Sequence, residues 1–175
     1  MFSFNEKHTA FDLSALLALQ SDINSMHFSH LVLENLDFSA KKITACSFSH
    51  ASFKNCSFIG CKIRLGFFDF THFVQCSFDK ADIQFSCFAG STFDETLFTN
   101  AELLINNFVG ITAHCCSFND SDLYSSRFIN CRLHDTPFNN CNIKKAHFSK
   151  NTYTNVSFKT SDTREALFYN DGVIA

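Results

Sequence analysis

Tryptophan is absent, proline occurs once, at Pro137, and glycine appears only five times in 175 residues. So few turn formers argue against a jelly roll and against an enzyme built on long active-site loops. No apolar run approaches the ~20 residues of a membrane-spanning helix. The longest near the start, Ala15 to Leu19, is also shorter than a signal-peptide core. Charged residues make up 18% of the chain and the net charge is −3, too small to draw the whole molecule to nucleic acid. Catalytic signatures are missing too. There is no G-x-S-x-G, no H-E-x-x-H and no glycine-rich phosphate loop. The reading therefore assigns no catalytic residue, no enzymatic activity and no cofactor.

What is there is a period. Apolar residues are 46% of the chain, so it is not a disordered sequence, and 24 residues are Phe. Phe occupies position 28 and every tenth residue onward to 168, fifteen without a miss. Halfway between stand Leu33, Ile43, Phe53, Ile63, Phe73, Ile83 and their successors, so that 28 of 29 pentad centres are apolar or aromatic. Two residues before each centre the side chain is small: Cys, Ala, Ser, Thr or Gly fills 21 of those 29 positions. A helix repeats at 3.6 and a plain strand at 2, so five fits neither as a continuous element. It does fit a short strand reset by a turn. The small residue and the centre share one face of that strand, the residue between them points out, and the last two turn the corner. Phe returning every ten residues requires an even number of pentads per coil. Two cannot enclose a core, whereas four place Phe ladders on two opposite walls at the ~4.8 Å strand spacing.

This pattern resembles the pentapeptide repeat family, over roughly residues 26 to 170. The resemblance implies an all-β right-handed quadrilateral β-helix of about seven coils, about 20 residues each. The organisation expected is an N-terminal segment, 1–25, with a capping helix; the β-helix, 26–170; and a C-terminal end, 171–175. Residues 9 to 20 read as the capping helix, with Thr9 as its cap, Asp12 in the first turn, and Phe11, Leu16, Leu17 and Leu19 on the first coil. Asp171 to Ala175 either finish a thirtieth pentad or pair with a second subunit, giving a homodimer through that end. Met26, Leu31, Leu36 and Lys41 are large at small positions, so the first coil is expected to be irregular or capped. Asn106, Ile111, Asn151 and Val156 also break the pattern, and the two asparagines need hydrogen-bond partners if buried. Pro137 lacks a ladder donor.

Seven of the nine cysteines, Cys46, Cys56, Cys61, Cys76, Cys116, Cys131 and Cys141, occupy small positions, where Cys is simply a small wall residue. Only Cys56 and Cys76 stack coil on coil at a bondable distance. An odd count and inward packing favour free thiols and a reducing, cytoplasmic location. At 20 residues per coil, Asp94, His114 and His134 share one outward column, and Glu95, Cys115 and Asp135 the next. All are metal-ligand types, but they also read as a polar wall of turn residues, and no metal is assigned.

The surface carries the remaining signal. Charge falls in bands: −4 over residues 1–37, +5 over 38–68, −7 over 69–122 and +4 over 123–165. Within the acidic band Asp82, Glu102 and Asp122 stand 20 apart, in a column with Lys42 and Lys62. Stacked carboxylates repel. On the same wall Leu65, Phe85 and Ile105 form an outward apolar column with Leu104 and Tyr124 beside it. These eight residues are the candidate partner-binding face. Two functions follow. One is a non-enzymatic protein–protein interaction scaffold. The other comes from the family resemblance, some of whose members mimic duplex DNA, bind bacterial DNA gyrase or topoisomerase IV, and give quinolone or toxin protection. The modest net charge, the basic bands and the absence of loops between coils weigh against the second. A protein partner is expected in either case, with a type II topoisomerase as the second reading's partner. Direct nucleic-acid binding and membrane contact are not expected.

Overall fold

The computed structural model describes residues 10–169. They form a parallel β-solenoid of about seven coils behind one short helix, and every strand pairs with the strand 20 residues away. Four walls result. The first holds β1 (Asp22–Asn24), β3 (Lys42–Thr44), β5 (Lys62–Arg64), β7 (Asp82–Gln84) and β9 (Glu102–Leu104) in sequence order. The third holds β2 (Val32–Glu34), β4 (Ser52–Lys54), β6 (His72–Val74), β8 (Thr92–Asp94), β10 (Thr112–His114), β12 (Arg132–His134) and β14 (Thr152–Thr154). The second is a column of single bridges from His27 to Arg127 that widens into β11 (Arg127–Ile129), β13 (His147–Ser149) and β15 (Leu167–Tyr169). The fourth is a column of bridges from Asp37 to Ser117. It ends before Pro137, which has no N–H to donate, although its carbonyl still accepts from Phe118 N at 3.0 Å. Pairing starts at Asp22, four residues ahead of the position at which the repeat becomes legible.

The core is what the period predicts. Phe28, Phe48, Phe68, Phe88 and Phe108 stack in one ladder at 4.8–5.0 Å, and Phe38, Phe58, Phe78, Phe98 and Phe118 in the opposite one at 4.5–4.8 Å. The two ladders meet edge-on, as with Phe98 and Phe108 at 85°, an arrangement that aromatic quadrupoles favour. Ile23, Ile43, Ile63, Ile83 and Leu103 fill the first wall, while Phe53, Phe73 and Phe93 add a third aromatic stack on the third wall.

The corners explain the small positions. Every fifth residue from Ser25 to Glu165 has a left-handed backbone, φ between 47 and 73°, and only Gly60, Gly90 and Gly110 of these are glycine. Corners are of two kinds. In a turn corner the small residue's N–H bonds the carbonyl three residues back, as Ala81 N does with Phe78 O at 3.0 Å. In a bend corner that bond is not made, and at several of these corners a side chain one coil on takes over. Gly66 N donates to Ser86 Oγ at 3.0 Å, Ser86 N to Asn106 Oδ1 at 2.9 Å, and Asn106 N to Ser126 Oγ at 2.9 Å. Both departures from the small-residue rule at asparagine are thus satisfied polar groups. Asn151 likewise accepts from Cys131 N at 2.7 Å and donates to Phe128 O at 2.9 Å.

Helix α1 (Ala10–Leu19) covers the first coil. Leu13 and Leu17 are buried against it and Leu16 partly so. Leu19, expected on that coil, instead points to solvent with 86% of its surface exposed, because the buried stripe runs through positions 13, 16 and 17. Thr9 lies outside the described residues, as do the side chains of Phe11 and Asp12. Lys41 is large at a small position because it closes this cap. Its ammonium donates to Leu17 O at 2.5 Å and to Gln20 O at 2.9 Å, carbonyls that a helix end leaves open. Asp171–Ala175 lie outside the described residues. All nine cysteines are free thiols.

Candidate partner-binding face

The acidic column forms as the 20-residue fold requires. Asp82 pairs in register with Glu102, and Glu102 bridges to Asp122. One of its three carboxylates carries an ion pair. Arg64 Nη2 lies 2.6 Å from Asp82 Oδ2, half-buried, and Gln84 Nε2 donates to Asp82 Oδ1 at 2.9 Å. Asp122 Oδ1 accepts from Tyr124 N at 2.9 Å and Asn142 Nδ2 at 3.0 Å, which makes it a turn-holding group. Lys62 stands directly beside Asp82 in the strand register, and Lys42 pairs with Asp22 at 3.6 Å. Glu102 is the exposed member of the trio.

The apolar column forms with equal fidelity, and nothing covers it among the described residues. Leu65, Phe85 and Ile105 sit one above another at the corner between the first and second walls, 50%, 52% and 47% exposed. All three have left-handed backbone, with φ of 54°, 55° and 56°. For a β-branched residue such as Ile105 that conformation costs about 1–2 kcal/mol. The chain holds the strain from inside. The next residue in each coil is Gly66, Ser86 or Asn106, the inner hydrogen-bonded ladder of this same bend corner. Leu104 and Tyr124 lie beside the column, half-buried, and Lys145 Nζ stands 5.5 Å over the Tyr124 ring. Tyr124, and then Glu165, raise the Lys145 pKa above its ordinary value.

The exposed patch extends further than the eight residues read from sequence. Phe67 projects from the second wall, 47% exposed, between Leu65 and the next corner. At that corner His30, His50 and Phe70 form an outward stack, with ring centroids 5.0 and 5.1 Å apart. The Phe70 ring lies over Gly90, where an added Cβ would meet it at 2.5 Å, so the corner glycine makes room for the ring. The signal was present in the sequence. Within the solenoid, Phe67, Phe70 and Phe85 are the only Phe that are not pentad centres, and all three fall within one coil of each other. The face is therefore an apolar and aromatic band across the second wall and its corners, with the acidic column along one edge. No described helix is long and apolar enough to cross a membrane.

Residues 91–168 match the family model of a pentapeptide repeat region. Among solved structures the chain is similar to a trypsin-treated variant of QnrB1, described as a plasmid-mediated fluoroquinolone resistance protein. Identity is 13%, the match covers 84% of this chain and 89% of that one, and the TM-score is 0.62. It is also similar to HetL of the cyanobacterium Nostoc sp. strain PCC 7120, a pentapeptide repeat protein involved in heterocyst differentiation regulation. There the identity is 11%, the coverage 97% of this chain and 100% of that one, and the TM-score 0.53. At these identities the likeness is one of fold. No curated protein sequence matches the chain.

Proposed function

We propose that this chain, a pentapeptide repeat protein by repeat and by fold, works as a non-enzymatic scaffold that binds a protein partner through the apolar band on its second wall. The observation that carries the reading is the left-handed, half-exposed trio Leu65, Phe85 and Ile105. Every corner of the coil is left-handed, and what sets this one apart is three large apolar side chains in consecutive coils, half-exposed, where most corners carry polar or small residues. Aromatic side chains on a rigid wall also lose little entropy on binding. Self-association through the C-terminal end is a separate proposal, supported by the exposure of Leu167 and Tyr169 on β15, and sedimentation would test it.

The alternative is mimicry of duplex DNA towards gyrase or topoisomerase IV. It needs a ladder of uncompensated negative charge, and here Arg64 neutralises Asp82 at one end of the acidic column. Affinity capture of partners at low and high salt, with the wild type beside Phe85→Asp and Glu102→Lys, separates the two. The scaffold reading expects a salt-tolerant complex lost in Phe85→Asp and kept in Glu102→Lys. A complex that salt or duplex DNA dissolves, that Glu102→Lys abolishes, and that contains a type II topoisomerase would transfer the conclusion to mimicry.

A further inference from the structure

On the corner diagonally across from the apolar band, between the third and fourth walls, a different chemistry collects. Asp94, His114 and His134 stand in register on β8, β10 and β12. Cys115 and Asp135 follow at the left-handed corner residues and point outward. His114 Nδ1 lies 2.8 Å from Asp94 Oδ1, which fixes the proton on that nitrogen and leaves the Nε2 lone pair free. That Nε2 lies 3.6 Å from Cys115 Sγ. His114, Cys115 and Asp135 each offer one donor atom, and all three atoms lie within 4.8 Å of one another. Asp135 is itself oriented by His134 Nδ1 at 2.7 Å and by Asn155 Nδ2 at 2.5 Å.

We propose that His114 Nε2, Cys115 Sγ and an Asp135 carboxylate oxygen form a surface site for a divalent transition ion, with zinc the ion best suited to the donors. The bite supports this directly. A tetrahedral ion with metal–nitrogen near 2.05 Å and metal–sulfur near 2.3 Å separates its nitrogen and sulfur ligands by about 3.6 Å. The Asp135 carboxylate, half-exposed and held by His134 and Asn155, brings the third donor within 4.8 Å of the other two. Mixed imidazole, thiolate and carboxylate donors favour zinc, copper or cobalt over calcium or magnesium. Asp94 on His114 supplies the carboxylate–histidine pairing that commonly supports such ligands, and so acts as a positioning residue. Three protein ligands leave the fourth position open to water or to a donor from a bound partner. A Cys–His–Asp nucleophile is the competing use of these side chains. It lacks support, because Cys115 lies exposed on the outer surface of a corner.

The full-length protein, reduced and metal-free, should be titrated with cobalt(II) alone. About one equivalent is expected to bind and to give a near-ultraviolet thiolate-to-cobalt charge-transfer band together with visible bands of tetrahedral strength. Zinc should displace both. Cys115→Ser should remove the charge-transfer band, Cys87→Ser should leave it intact, and His114→Gln should weaken binding about 10-fold or more. All three side chains sit on the surface, and circular dichroism melts identify any variant that fails to fold, with Asp135→Asn as the substitute probe. No thiolate band at micromolar cobalt, a band that survives Cys115→Ser, or unchanged affinity in His114→Gln would each overturn the proposal.

Discussion

Asn106 accepts the Ser86 N–H on its Oδ1 at 2.9 Å, one coil away, on the buried inner side of the bend corner. Its Nδ2 donates to Ile83 O at 2.8 Å, so the side chain replaces the turn hydrogen bond that this bend corner does not make. Asn106→Leu strips both groups of a partner and should cost about 2–4 kcal/mol despite being more apolar. Asn106→Ser should cost about 1 kcal/mol, because Ser126 already makes the equivalent bonds, including Oγ to Leu103 O at 2.6 Å. Urea denaturation of both variants checks the order; Leu tolerated better than Ser would refute the corner account.

Phe98 tests the ladder. It is fully buried, stacked on Phe78 at 4.8 Å and on Phe118 at 4.7 Å. Phe98→Ala should cost about 3–5 kcal/mol, since stacked neighbours on both sides cannot collapse into the cavity. A loss below about 1 kcal/mol by equilibrium unfolding would contradict the rigid-ladder picture.

Thiol chemistry reports the walls. Burial pushes the Cys116 thiol up to about 12 and the Cys141 thiol up to about 11, and raises Cys46 and Cys61 as well. Cys115 is exposed and Cys87 half-buried, its thiol donating to Asp69 Oδ1 at 2.8 Å. A chromogenic disulfide reagent should therefore label Cys115 quickly and Cys87 slowly, and the other seven only after unfolding. Rapid labelling of three or more thiols in the native protein would show that the small positions are not sealed.

Acid should act through the outer carboxylates. Thr99 Oγ1 at 2.7 Å, with Asn100, holds the Asp79 pKa below 3.8, and Ser39 does the same for Asp37. Asp162 is lowered further by Arg164 at 2.7 Å and then Lys144. A carboxylate depressed in the folded state contributes stability above its unfolded pKa and loses it as pH falls through the folded value. Chemical denaturation midpoints should accordingly decline as pH drops below about 4, and Asp79→Asn should flatten part of that decline. Midpoints unchanged between pH 4 and pH 2 would exclude a net role for these groups.

Much of this architecture was legible because the period is strict. Fifteen Phe at a spacing of ten give the coil length, the two ladders and the register that stacks Asp82 on Glu102. Three things were not. The pairing of Asp82 with Arg64 joins neighbouring strands of the first wall on the diagonal, two residues out of register, which column counting does not show. The two kinds of corner depend on backbone hydrogen bonds, and side-chain identity reports them only through residues such as Asn106 and Asn151. The helix phase that buries Leu13 and exposes Leu19 is set by docking on the first coil, since leucine and alanine occur all round the helix.

The apolar corner is the centre of the account, and replacing Leu65, Phe85 and Ile105 together by asparagine tests it most directly. Asparagine already occupies the left-handed position at the other corners of the coil, at Asn35, Asn55, Asn100, Asn130, Asn140 and Asn155, so its backbone preference suits that conformation. Thermal and chemical unfolding of the triple variant should match or exceed the wild type, while complexes captured by the wild type are lost. A stability loss above about 2 kcal/mol would make the three side chains part of the packing. Unchanged capture would place the partner surface elsewhere.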